Sequence, residues 1–279
     1  MIDRVLFDIA QTGPGRRFVS LLNRFPCPGS RWPLKVFGHR MFANKNDRYG
    51  SLWLRKLRLV ETFECRLVRQ LCKPGMFVAD VGANVGVYSL LFARCAGPSG
   101  RVWAFEPDPG NFAALQRNVA ANGYANVCTV NKAVGAVSKT DYLFLSEIHS
   151  GDHHTYATAE TRRRVPVEIV ALDDFFAPDQ RLDFIKMDIQ GSEGHALEGM
   201  QRILRHNRGL TLLMEFWPAA LRQAGSVPEQ VLEGLRSMGF ALELCDEKTR
   251  TLRPIGDFAE LSRALGRNQY VNLLVSSPR

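Results

Sequence analysis

Four acids and one lysine stand at positions where an α/β chain can do chemistry. In Phe77-Val78-Ala79-Asp80-Val81-Gly82-Ala83-Asn84-Val85-Gly86-Val87-Tyr88-Ser89, an apolar run ends in an acid and two glycines, then becomes helix-like with Leu90, Leu91 and Phe92. This predicts a buried parallel strand, a tight turn and a helix N-terminus. Glycine suits a backbone that turns sharply or lets a ligand approach, and free amides at a helix start favour an anion. A second apolar run, residues 101–105, ends at Glu106, twenty positions after Gly86. An acid there can accept both ribose hydroxyls of a nucleoside; the plain alternative is a solvated strand-end acid. Further on, Lys186 and Asp188 lie two apart on one strand and so share a side. A lysine inside a central strand is costly unless paired. Asp188 therefore either completes a buried ion pair, or faces a ligand and positions or deprotonates a hydroxyl. Glu215 closes the next strand, and Glu193 opens a helix, where the dipole alone favours an acid.

Spacing decides among nucleosides. A dinucleotide fingerprint needs glycine at 84 and 87, where the chain has Asn84 and Val87. The Asp-x-Gly-x-Asn-x-Gly that is present resembles the first motif of class I S-adenosylmethionine (SAM) methyltransferases. Ile185-Lys186-Met187-Asp188-Ile189-Gln190-Gly191-Ser192-Glu193, followed by Leu197-Glu198-Gly199-Met200, looks like the second signature of FkbM-type methyltransferases. Phe105-Glu106-Pro107 resembles their ribose motif, and Ala171-Leu172-Asp173-Asp174-Phe175 and Leu213-Met214-Glu215-Phe216-Trp217-Pro218 also fit. The likeness covers roughly residues 60–275. Where this chain has Gln190, members of that family often carry Glu.

The resemblance implies methyl transfer from SAM to a hydroxyl, on a sugar, a glycan or a secondary metabolite. It makes Asp80, Gly82, Ala83, Asn84, Gly86, Glu106, Pro107 and Ala133 the cofactor-binding candidates. Orientation supplies much of the rate of such a displacement, and a hydroxyl needs a base or a cation to help it. Asp188 is the candidate base, His153 or its neighbour His154 a second, with Lys186 and Glu215 as orienters. Mg²⁺ is left open, with Asp188 and Glu215 as candidate ligands.

The surrounding pattern predicts a Rossmann-like fold of about seven mostly parallel strands with an antiparallel C-terminal strand. It divides into a basic N-terminal extension, residues 1–60, and a SAM-binding domain, residues 61–279. Prolines and glycines break every pattern in residues 1–50. Helices are expected over 51–72, 108–122, 192–206 and 227–238. The strand Val127–Val130 is read as continuing to Ala133-Val134. Tyr142, Phe144, Val165, Val167 and Ile169 read as β segments around a polar loop, Ser146 to Arg164, of the length that often forms a lid. Asp80, Glu106, Asp188 and Glu215 would then converge at the carboxyl ends of the strands, where open α/β sheets bind ligands.

Composition bounds the rest. The 279 residues suffice for one large α/β domain, and 46% hydrophobic with 23% charged is globular usage. No apolar run is long enough to span a bilayer and no secretory signal is evident. The six cysteines lack Cys-x-x-Cys spacing, which fits buried thiols and a cytoplasmic setting without zinc. The net charge of +8 is uneven: residues 1–75 carry fifteen Lys and Arg against five Asp and Glu, leaving −2 for the remainder. With Arg162-Arg163-Arg164 this predicts a polar, anionic acceptor recognised by the extension and the loop. The alternatives are a nucleic-acid methyltransferase and a non-catalytic SAM-binding protein. The first is disfavoured because neither an Asn/Asp-Pro-Pro-aromatic nor a Pro-Cys motif follows the fourth strand.

Overall fold

The computed structural model describes residues 28–45, 47, 50, 51, 54, 55, 57, 61–146, 151, 153–157, 162–266 and 269–277. A short helix, Pro28–Arg31, precedes a hairpin of β1 (Leu34–Val36) and β2 (His39–Met41). The main body follows with β3 (Phe77–Val81), β4 (Arg101–Phe105), β5 (Val127–Val130), β6 (Ala133–Val134), β7 (Lys139–Leu145), β8 (Arg163–Val170), β9 (Phe184–Met187), β10 (Thr211–Phe216), β11 (Ala241–Asp246), β12 (Thr251–Pro254) and β13 (Val271–Ser276). Eight of these strands form one sheet in the order β12-β11-β13-β10-β9-β3-β4-β5. From β10 to β5 the neighbours are parallel, while β13 runs antiparallel to both β10 and β11. This is the expected mostly parallel sheet with its reversed C-terminal strand. The sheet is one strand wider because β12 pairs back on β11 as an edge hairpin.

The pleat explains both the core and the rim. Ala79, Val81, Ile185, Met187, Leu212 and Met214 point to one face and join the largest apolar cluster. Val78, Phe184, Leu213, Leu274 and Cys245 point to the other, under the helices Phe63–Leu71 and Val87–Ala96. One pleat repeat towards the rim, that second face turns polar on β3, β9, β10 and β13. Val78 gives way to Asp80, Phe184 to Lys186, Leu213 to Glu215 and Leu274 to Asn272. The register aligns them, Asp80 opposite Lys186 and Glu215 opposite Asn272. Side chains two apart share a face, so a hydrophobic floor leads directly to a polar ledge.

Several elements depart from the sequence reading. Residues 28–45, expected to be irregular, contain the hairpin: Phe37 and Gly38 both take positive φ, 48° and 84°, as a two-residue hairpin turn requires. Phenylalanine is a rare choice there, so the turn left no signature. The helix expected over 51–72 is interrupted at Glu61-Thr62, where Thr62 caps a new helix by accepting from Cys65 N. The helix expected over 192–206 is two, Glu193–Glu198 and Gln201–His206. Asp173 enforces that break, because its carboxylate accepts from Arg202 N at 2.7 Å and Ile203 N at 3.0 Å. Ala133-Val134 does not continue β5: it pairs with β8 in a separate three-stranded sheet, β6-β8-β7. The helices Pro218–Gln223 and Phe258–Ala264 were not anticipated. Among the described residues no helix is long and apolar enough to cross a membrane. The described cysteines, Cys65, Cys72, Cys95, Cys128 and Cys245, are all free thiols.

Candidate active site

The glycine loop is held from inside. Gly82 N and Ala83 N both donate to the Phe105 carbonyl, at 3.0 and 2.9 Å, and Gly86 N donates to Ala83 O at 2.8 Å. Asn84, at φ 50°, donates its amide to Glu106 Oε2 at 2.8 Å and uses its side-chain oxygen on Val85 N. The amides at 82–86 are thus engaged within the protein. What the loop offers is acceptors. Asp80 is fully buried; its Oδ2 accepts from Ser89 Oγ at 2.5 Å, while no described donor reaches its Oδ1. Burial pushes its carboxyl up, against the pull of Lys186 and Ser89. A buried acceptor lacking a donor is costly, and it suits a ligand that brings an N–H or a positive charge. SAM, a sulfonium with an ammonium group and no phosphate, meets that requirement, and it does not call on the engaged loop amides that a pyrophosphate would need.

Glu106 is also buried, and its carboxylate accepts from Asn84 N, from Asp108 N at 2.9 Å and from Asn111 Nδ2 at 3.4 Å. Burial is the larger influence, aided by the charge of Asp108, and lifts its carboxyl to about 8 despite those donors. Pro107 follows it, and the carbonyls of both accept from Asn131 Nδ2. Ala133 follows two residues after Asn131. It is buried in the small sheet with Leu143, Leu145, Val167 and Ile169.

Gly82, at φ 81°, has a further role. A Cβ on it would lie 2.0 Å from the Asp188 carbonyl oxygen. The cofactor loop is therefore backed directly onto the end of β9, where the second half of the site begins. There Lys186, with only 8% of its side chain exposed, donates to Asp188 Oδ2 at 3.2 Å and lies 4.6 Å over the Tyr88 ring. Burial presses the ammonium down, but the charges of Asp188, Asp80 and Glu215 outweigh it and raise the group overall. Asp188 leaves 41% of its side chain exposed, whereas Glu215 is buried. Gln190 Nε2 lies between them, 2.9 Å from Asp188 Oδ1 and 3.2 Å from Glu215 Oε2. The ledge continues through Asn272, which donates to Glu64. Burial, and then the nearby Glu247, lifts the Glu64 carboxyl to about 7.

This arrangement is poor for Mg²⁺. The two candidate ligands converge on the N–H hydrogens of an amide, where a cation needs oxygen acceptors. Among the described residues no group of three or more His, Cys, Asp and Glu side chains is placed to hold a metal.

Part of the long loop crosses this rim. His153 Nδ1 accepts from Ser146 N at 2.9 Å, and its Nε2 lies 3.8 Å from Asp108 Oδ2. With Nδ1 accepting, the neutral ring carries its hydrogen on Nε2, so neither nitrogen offers a lone pair to a substrate. His154 stacks on Tyr156 with centroids 4.3 Å apart. Thr155 Oγ1 is 2.9 Å from Ser192 Oγ, and the Tyr156 hydroxyl donates to Gln190 O at 2.8 Å. Residues 147–150, 152 and 158–161 of the expected lid lie outside the described residues. Arg163 and Arg164 belong to β8, not to the loop, and Arg164 sits 4.4 Å over the Tyr142 ring.

Sequence reasoning missed Ser89, Tyr88, Asn111, Gln190 as a bridge, and Tyr156. Only Ser89 carried a signal, as a hydroxyl one helical turn into the helix that the glycine loop opens. Glu193, read as a dipole effect, is fully buried and clamps the turn before it, accepting from Ile189 N and Gly191 N at 2.9 Å each.

The sheet is Rossmann-like, the fold class of the class I methyltransferases. The model of the methyltransferase FkbM domain matches residues 80–242, and the chain belongs to that family. Among curated relatives, the 31-O-demethyl-FK506 methyltransferase FkbM of Streptomyces tacrolimicus is 30% identical over 160 residues, 46% of this chain and 61% of that protein. Methyltransferase sdnD of Sordaria araneosa is 28% identical over 156 residues, 44% of this chain and 60% of that protein. The chain thus spans about three fifths of the relatives' length. The crystal structure of a methyltransferase FkbM from Methylobacillus flagellatus KT aligns over 96% of this chain and 60% of its own, at 16% identity and a TM-score of 0.44. A superposition that loose carries no weight.

Proposed function

We propose that this chain transfers a methyl group from SAM to a hydroxyl oxygen of a neutral, polar acceptor, a sugar or a secondary metabolite. The observation that carries the reading is the contact of Gly82 with the Asp188 carbonyl, which sets an acceptor-rich cofactor loop against a half-exposed carboxylate. Asp80 and Glu106 would hold the cofactor, which when bound supplies an electrophilic methyl group. Asp188 accepts the hydrogen bond of the incoming hydroxyl and takes its proton as the oxygen loses it. Lys186 and Gln190 fix the carboxylate so that one orientation is presented. The segment 153–157 lies over the same rim and limits water there.

The name of the Streptomyces tacrolimicus relative records an O-demethyl acceptor, which supports a hydroxyl here too. An anionic acceptor is less well supported than the charge balance suggested. The carboxylates of Asp80 and Glu215 lie near Lys186 beside Asp188, and two arginines of the main domain that reach the extension serve contacts within the fold. Arg94 donates to Phe37 O, and Arg117 donates to Ser30 O and stacks on Phe42.

The test is calorimetry with SAM and S-adenosylhomocysteine, followed by turnover on a panel of hydroxylated acceptors. Glu106→Ala removes charge-assisted hydrogen bonds of about 1.5–3 kcal/mol and should weaken SAM roughly ten- to hundred-fold. Asp188→Asn should lower turnover while leaving SAM affinity close to wild type. Absence of SAM binding to the wild-type chain, or normal turnover by Asp188→Asn, would sink the proposal.

A further inference from the structure

Gln190 is used above only as a tether, yet the turn that carries it is built with unusual redundancy. Its φ is 55°, in the left-handed region that non-glycine residues rarely enter, and Gly191 follows at 97°. A Cβ on Gly191 would lie 2.7 Å from Ala220, so the turn is pressed against the helix Pro218–Gln223. Both Glu193 oxygens hold its amides, Tyr156 holds the Gln190 carbonyl, and Thr155 reaches Ser192. This backbone is over-determined, and it delivers one side chain to a point between two carboxylates. Both neighbours of that amide nitrogen are carboxylate oxygens. Chemistry therefore fixes which end of the amide faces them, and its two hydrogens go one to each acid.

Without that donor, Asp188 and Glu215 would face each other across the space it fills, with Lys186 remaining on Asp188 Oδ2. We infer that Gln190 is the positioning residue of the acceptor side, its amide standing where a bridging cation would stand in a three-carboxylate site. It holds Asp188 and Glu215 as a fixed pair and leaves the outer lone pairs of Asp188 for the acceptor hydroxyl. A carboxylate at 190 would convert the same geometry into a cation site; an apolar side chain would leave the two acids in repulsion. The role in catalysis rests on the methyl-transfer reading, but the bridge can be tested without SAM or an acceptor.

Two substitutions in the full chain test it, with Mn²⁺ alone as probe in the first. Gln190→Glu should gain a single Mn²⁺ site at least about tenfold tighter than any wild-type binding, or about 1.4 kcal/mol. Adding Asp188→Asn should remove the gain. Gln190→Met should lower Tm by about 2–4 °C, and the loss should shrink markedly in an Asp188→Asn background, where one of the two facing charges is gone. A merely structural glutamine would give the same loss in both backgrounds. Equal Mn²⁺ binding by wild type and Gln190→Glu, or a Gln190→Met loss that Asp188→Asn does not change, overturns the inference. Failure of methyl transfer would leave both measurements standing.

Discussion

At the scale of single residues, the informative group is Glu106. Its carboxyl is raised to about 8 from an ordinary value of 4.5, chiefly by burial. Between those values the folded chain holds a proton that the unfolded chain releases, so the stability of the free protein falls as pH rises through that window. A ligand that donates hydroxyls to the carboxylate, or carries positive charge, favours its ionised form. Binding of S-adenosylhomocysteine at pH 7 should therefore release close to one proton, and affinity should rise with pH up to about 8. Calorimetry in buffers of different ionisation enthalpy measures that release. Glu106→Gln should abolish it, and an undiminished release in that variant would assign the proton elsewhere. Glu106, Asp80 and Asp188 were legible in the sequence because a strand-end acid is a local pattern, an apolar run followed by a carboxylate. Gln190, Tyr156 and Asn111 were not, because their partners come from strands and loops far away in the chain.

At the scale of elements, position depends on contacts that leave no room. Gly82 takes positive φ, and any side chain there meets backbone at 2.0 Å. Strain from the left-handed conformation and from overpacking adds to about 3–5 kcal/mol for Gly82→Ala. Denaturant unfolding should show that loss, whereas Gly123→Ala, also at positive φ but facing open space, should lose far less. Asp173 belongs to a motif that invites a functional reading, yet it caps the helix Gln201–His206. Asp173→Ala should cost about 1–2 kcal/mol of stability with SAM affinity unchanged; a selective loss of SAM binding would contradict the capping role. The main-sheet strands were readable because buried parallel strands are short, continuous apolar runs. The helix breaks at Glu61-Thr62 and at Gly199-Met200 were not, since helical periodicity runs across both and tertiary partners impose the stop.

At the scale of the whole molecule, the N-terminal hairpin is part of the cofactor half. Asn118 exchanges hydrogen bonds with both backbone groups of Phe42, at 2.7 and 2.9 Å. Asn44 Nδ2 donates to Asn111 Oδ1 at 2.8 Å, and Asn111 in turn reaches Glu106. Deleting residues 1–45 should thus lower both Tm and SAM affinity, and thermal scans with and without S-adenosylhomocysteine measure each. A truncated chain with wild-type affinity would make the hairpin an independent appendage.

The contact between Gly82 and Asp188 also constrains how the chain can be re-engineered. Two loops from different strands share one van der Waals boundary, so randomising positions 82–86 or 188–191 changes both at once. Libraries aimed there should return mostly unfolded clones, however large they are. Diversity in acceptor choice has to be sought away from that boundary, as in the edge hairpin β11–β12, whose outer strand is largely exposed. A screen that scores folded protein and activity separately would show the two regions behaving as opposites, one intolerant of change and the other able to retune the substrate.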